Sequence, residues 1–126
     1  MSMQTTEKMN KVFEYINLDY LDMMADGDDE MKKVMLGMLF EEMPVELDKM
    51  HELCTTSNWQ ELSAACHKMK STLSFVGNDT MTNTNKTLEI MSKEETETES
   101  FPDMINTLIE MWPKVKIELQ GVHDGL

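Results

Sequence analysis

Residues 63–77 read SAACHKMKSTLSFVG, and this stretch decides the fold because its apolar residues recur at helical spacing. Successive residues of an α-helix are about 100° apart around the axis. One face of the predicted helix is therefore apolar, and it comprises Trp59, Leu62, Ala65, Cys66, Met69, Leu73 and Val76. His67 lies roughly 140° from the centre of that face. The pattern predicts an amphipathic helix that presents its histidine to water.

The residues around His67 on this face are small, polar or cationic: Gln60, Ser63, Lys70, Ser71 and Ser74 all lie within about 60° of it. An imidazole in water is mostly neutral at pH 7, so it can act as a nucleophile. Lys70 follows one turn later on the same face, so its mobile charge can reach the surroundings of the ring. Taken alone, these residues favour an ordinary surface histidine and a solvated lysine over a reactive site.

The motif HKMKS at residues 67–71, with Gly77 ten residues after the histidine and Leu88-Glu89 following, resembles the histidine phosphotransfer (HPt) family of bacterial multistep phosphorelays. The resemblance covers about residues 17–122 and includes the segments LDYL at 18–21 and EEMP at 41–44. One position departs from the family pattern: the residue after the lysine is usually glycine, and here it is Ser71.

The resemblance implies that His67 accepts a phosphoryl group and that Lys70 stabilises it. A hybrid sensor histidine kinase would supply the group and a response regulator receiver domain would take it, each through an aspartate. The chain would be a phosphocarrier rather than an enzyme, with no nucleotide site and no cofactor of its own, since magnesium belongs to the receiver. The expected docking residues are Gln60, Ser63, Ala64, Lys68, Ser71, Ser74 and Phe75.

Two other classes of function stay open at this point. The chain is alternatively a helical-bundle adaptor that docks a receiver or kinase without accepting phosphate. A small bundle enzyme or metal carrier is the third interpretation, with His51, Cys54, Cys66 and His67 as metal-ligand candidates. Cys66 and His67 point about 100° apart on a helix and cannot converge on one ion, so no metal site is predicted. The 15 methionines fit a plastic core, or an exposed groove for partner helices.

The composition of the chain limits the classes of partner that it can bind. A net charge of −13 argues against nucleic acid and anionic membrane surfaces, because both need a basic face. No apolar run approaches a membrane span and no signal sequence begins the chain, so we expect a cytoplasmic protein without membrane insertion. Cys54 and Cys66 fit no disulfide framework, and we expect both to be reduced and buried.

The fold predicted along the chain is an all-α antiparallel four-helix bundle with one or two short N-terminal helices. A single domain over 1–126 has its core at about 17–122 and frayed ends at 1–10 and 121–126. The leading helices are expected over 5–15 and, capped by Asn17, over 18–25. The first bundle helix is predicted over 28–54, opened by Asp28 and kinked at Pro44. The helix that carries His67 follows, with a Ser57 and Gln60 capping box at its start and a stop at Gly77. A third is predicted over 80–93, capped by Asn78 or Asp79, and the last begins near Phe101 and bends at Pro113. A flexible acidic loop is predicted over 92–100 and a tail over 121–126.

Overall fold

A computed structural model describes residues 13–126. It contains five α-helices, α1 (Asp19–Ala25), α2 (Asp29–Thr55), α3 (Trp59–Val76), α4 (Asp79–Glu94) and α5 (Phe101–Asp124), with a short 3-10 turn at Thr98–Ser100. Helices α2 to α5 form the bundle, while α1 packs across α2 and α3. Short connections make consecutive bundle helices antiparallel. The all-α prediction is confirmed, and residues 13–126 contain no strand.

The core lies where the apolar faces of the four long helices meet. Six residues of α5 at alternating spacings of four and three are buried: Phe101, Ile105, Leu108, Trp112, Val115 and Leu119. From α3, the core receives Leu62, Ala65, Cys66, Met69, Leu73 and Val76. The helical periodicity read from the sequence therefore identified the buried faces of α3 and α5.

Three predicted helix ends are confirmed. The Asp28 side chain accepts hydrogen bonds from the N–H groups of Glu30 and Met31, so it caps α2. At the start of α4, the Asn78 side chain accepts from the Met81 N–H. Gly77 ends α3 in the left-handed conformation, with φ at +68°. Each device satisfies backbone groups that a helix end leaves unpaired.

The predicted capping box at the start of α3 is wrong. Ser57 has a φ of +57° and precedes the N-cap residue Asn58, whose side chain makes no capping bond. Gln60 instead donates from Nε2 to the Lys93 carbonyl and to the Glu95 carboxylate, at 3.2 and 3.0 Å. The side chain is therefore used between helices, which a local capping pattern does not reveal.

The predicted acidic loop and C-terminal tail are also shorter than expected. Helix α4 continues to Glu94, and Ser92 is fully buried, with its hydroxyl donating to the Leu88 carbonyl of its own helix. Helix α5 continues to Asp124, with the His123 ring 5.7 Å from that of Phe40. The burial predicted for Cys54 needs correction as well, because this residue is only half-buried.

The segment before α1 is held against the bundle. The N–H groups of Glu14 and Tyr15 donate to the Glu118 carboxylate of α5. The Asn17 N–H donates to the Val76 carbonyl, and the Asn17 side-chain oxygen accepts from the Asp19 N–H. The helix predicted over 5–15 lies mostly outside the described residues, and residues 13–15 are not helical.

Helices α2 and α5 run without interruption through Pro44 and Pro113, and the bends predicted there stay predictions. No helix among residues 13–126 is long and apolar enough to cross a bilayer.

Candidate functional site

His67 lies in the middle of α3 on the face that points away from the core. Its side chain is 75% exposed, whereas the preceding residue, Cys66, is completely buried. The difference follows from the 100° turn between neighbours on a helix. The predicted exposure of His67 is confirmed, and its ring is accessible to a large partner.

Glu89 of α4 contacts the imidazole ring. Its Oε2 lies 3.0 Å from His67 Nδ1, and the Glu89 side chain is 22% exposed. A carboxylate has acceptor oxygens alone, so the ring donates through Nδ1 in this contact. The tautomer thereby selected leaves the lone pair on Nε2, in a side chain that is 75% exposed. The arrangement can supply a neutral nitrogen nucleophile with a fixed orientation.

Glu89 follows the motif in the sequence, but no role at the site was predicted for it. A signal was present in α4: Asn85, Glu89 and Ser92 recur at spacings of four and three, which places three polar residues on one helical stripe. Asn85 and Ser92 are buried and Glu89 is half-buried, so this polar stripe faces α3. The residue of α3 that Glu89 contacts can be identified only when the register between the two helices is known.

The two lysines of the motif have different surroundings. Lys68 donates from Nζ to Glu46 Oε1 of α2 at 3.2 Å, which ties its side chain to a carboxylate that is mostly buried. Lys70 is exposed and forms no ion pair within residues 13–126. A lysine without a fixed partner keeps its rotamer freedom, so Lys70 is able to swing toward a group on the His67 ring.

The predicted docking residues divide into two groups. Ala64, Lys68, Ser71 and Ser74 are exposed on the His67 face, and Phe75 is half-buried with its ring 5.2 Å from that of Tyr20. Gln60 and Ser63 are instead engaged with α4. Ser63 was predicted to face water, but it is buried and its hydroxyl donates to the Glu89 carbonyl at 2.9 Å.

An apolar groove lies between α2 and α3, one helical turn from His67. Its volume is about 300 Å³, and it is lined by Met35, Met38, Leu39, Glu42, Ser71, Thr72 and Phe75. Met38 is half exposed although it is apolar. Two methionines, Met35 and Met38, therefore line this groove, and Ser71 links it to the histidine.

The cysteines have the surroundings of inert thiols. Burial raises the pKa of the Cys66 thiol to about 12, with a smaller contribution from the negative charge of Glu89. Burial also raises the pKa of Cys54. Both groups are protonated at neutral pH, and metal binding needs the thiolate. Within residues 13–126, no three His, Cys, Asp or Glu side chains are grouped to hold a metal ion.

Comparison with known families gives one match. A model of the Hpt domain matches residues 34–122, which include all of α3 and α4 and most of α2 and α5. The match therefore covers both His67 and Glu89. No curated protein and no solved structure matches the chain significantly.

Proposed function

The chain belongs to the Hpt domain family, and from that premise we propose that it carries a phosphoryl group on His67 between receiver-domain aspartates. The observation that carries the proposal is the exposed imidazole whose Nδ1 lies 3.0 Å from the Glu89 carboxylate. It supplies an accessible ring nitrogen and a charge that holds the ring. Carrying a phosphoryl group requires no further catalytic group on this chain, because the reactive phosphate arrives already bound to the partner.

The transfer step uses the free nitrogen of the ring. Nε2 attacks the phosphorus of a receiver's aspartyl phosphate, so that an N–P bond forms as the acyl phosphate P–O bond breaks. The aspartate leaves as a carboxylate, and the ring acquires positive charge. Glu89, at Nδ1, stabilises that charge while it develops. The reverse sequence returns the group to a second receiver, and the magnesium that assists either step belongs to the receiver.

Lys70 assists the phosphorylated state. Its ammonium group can approach the phosphoryl oxygens from one turn away on the same face. The interaction contributes about 1 kcal/mol at most, because charges at an exposed site are screened by water and salt. Lys70 therefore lengthens the lifetime of phosphohistidine, while His67 determines whether it forms.

The partner docks on the groove between α2 and α3. Met35, Met38 and Phe75 offer it an apolar surface, and Ser71 and Ser74 are small enough to let it approach His67. A receiver domain that covers this surface would bring its aspartate onto the exposed ring. A hybrid sensor kinase would present its receiver in the same way, so donor and acceptor use one surface in turn.

Label transfer from a panel of phosphorylated receivers tests the proposal. The parent protein should take label from at least one receiver, in a form labile to acid and stable to alkali. His67→Ala should take none yet still bind that receiver, with stability changed by no more than about 0.5 kcal/mol. Met38→Glu, which puts a charge into the groove, should lose binding and transfer together.

His51→Ala is the matched control, because His51 is an exposed helical histidine on α2 outside the groove. It should behave as the parent does. Label retained by His67→Ala would move the acceptor to another residue. Binding without label in the parent protein would identify the chain as an adaptor that docks receivers and carries no phosphate.

A further inference from the structure

Two buried hydrogen bonds cross between α3 and α4 beside His67. Ser63 of α3 donates from Oγ to the Glu89 carbonyl at 2.9 Å, and Asn85 of α4 donates from Nδ2 to the Cys66 carbonyl, also at 2.9 Å. The donors are only 8% and 2% exposed. We call these two bonds the crossed pair, because each helix donates a side-chain hydrogen to the backbone of the other.

The crossed pair has a fixed relation to the reactive contact. Ser63 precedes His67 by four residues on α3, and Asn85 precedes Glu89 by four residues on α4. Residues four apart lie on one face of a helix, about one turn from each other. Because α3 and α4 are antiparallel, these faces place the contact between His67 and Glu89 between the two bonds of the crossed pair.

The crossed pair determines the register of the two helices. One residue of an α-helix spans about 1.5 Å, whereas hydrogen bonds of this kind exist over about 2.7 to 3.2 Å. A slide of α4 by one residue would break both bonds and carry the Glu89 carboxylate past His67 Nδ1. Since both donors are buried, water does not readily replace the lost partners.

We propose that Ser63 and Asn85 are positioning residues for phosphotransfer: they hold Glu89 where it keeps the proton of His67 on Nδ1 and leaves Nε2 free. The effect on transfer rests on the proposed function, but the effect on the ring does not. Ser63 acts on the backbone of Glu89 and Asn85 on the backbone beside His67. Neither touches the reacting atoms.

The test measures the tautomer of His67 by ¹⁵N NMR in the unphosphorylated protein and, separately, its rate of phosphoryl transfer from a receiver. In the parent the neutral ring should carry its proton on Nδ1. Ser63→Ala should shift the population toward the Nε2–H tautomer and slow transfer by about threefold to tenfold, the range of one hydrogen bond. Ser63→Cys, which keeps the volume but donates weakly, should do the same.

A double-substitution cycle shows whether Ser63 acts through Glu89. In a Glu89→Ala background, Ser63→Ala should change neither tautomer nor rate, because the carboxylate it positions is gone. Thr107→Val is the control, since it removes a hydroxyl that bonds the Asp103 carbonyl within α5. It should leave both quantities at parental values.

Parental tautomer populations in Ser63→Ala and Ser63→Cys would overturn the positioning role, as would equal effects of Ser63→Ala with and without Glu89. The tautomer measurements need no receiver. If the parent accepted no phosphate from any receiver, the proposed function would fail while the tautomer populations still decided whether the crossed pair positions Glu89.

Discussion

Two adjacent residues, Cys66 and His67, show how one helix separates an exposed side chain from a buried one. The thiol is completely buried and its pKa is raised to about 12, whereas the imidazole is three-quarters exposed. The two polar residues that follow Cys66 each have a partner: His67 contacts Glu89, and Lys68 pairs with Glu46. The imidazole ring of His67 is therefore accessible to a partner, whereas the Cys66 sulfur is not.

The raised pKa of Cys66 predicts a loss of stability at alkaline pH. Above about pH 9 the unfolded chain releases the thiol proton while the folded chain keeps it, so the free energy of unfolding falls as pH rises toward 12. Between pH 7 and 10.5 the loss from this group is about 2 kcal/mol. Urea unfolding with reductant present should show the stability difference between the parent and Cys66→Ala narrowing by that amount. A constant difference would contradict the buried thiol.

At the scale of elements, the junction of α3 and α4 joins the bundle to the segment before α1. Gly77 turns the chain at a φ of +68°, while the Asn17 N–H donates to the Val76 carbonyl at 3.1 Å. Asn78 both caps α4 and donates to the Tyr15 carbonyl at 2.7 Å. A Cβ added at Gly77 would lie 2.8 Å from the Cβ of Asn17. The tight turn and the docked segment therefore depend on the same glycine.

Gly77→Ala should destabilise the protein by at least about 2 kcal/mol, from left-handed strain and displacement of Asn17. Gly121→Ala is the matched control, because a Cβ there meets nothing within 4 Å and the residue lies inside α5. It should be neutral or stabilising by up to about 1 kcal/mol. Thermal unfolding of the two variants measures the contrast, and equal melting temperatures would contradict the crowded turn.

The sequence predicted the elements whose signals are local and periodic. Helices α2, α3 and α5 have long apolar repeats, and Asp28, Gly77 and Asn78 act within a few residues of their own positions. The acidic loop was predicted to begin at residue 92 because residues 92–100 contain no apolar side chain, but α4 continues to Glu94. The capping pattern at Ser57 and Gln60 failed because Gln60 bonds to the end of α4 instead.

At the scale of the whole molecule, three helices contribute to the site. Helix α3 presents His67, α4 brings Glu89 to its ring, and α2 supplies most of the apolar groove beside Ser71. The sequence located the histidine, since amphipathicity alone determines which side of α3 faces water. It did not locate Glu89 at the ring or withdraw Ser63 from the surface, because both depend on the register between α3 and α4. A solvent-accessible surface built in this way suits a protein that other domains contact in turn.

The attachment point of phosphorus on the phosphorylated protein tests the central claim most directly. Protein labelled with ¹⁵N is phosphorylated by a receiver, and correlations among ¹H, ¹⁵N and ³¹P identify the nitrogen that carries the group. Phosphorus is expected on Nε2 of His67, because the contact with Glu89 keeps Nδ1 occupied. Phosphorus on Nδ1 of His67, or on any other residue, would contradict it.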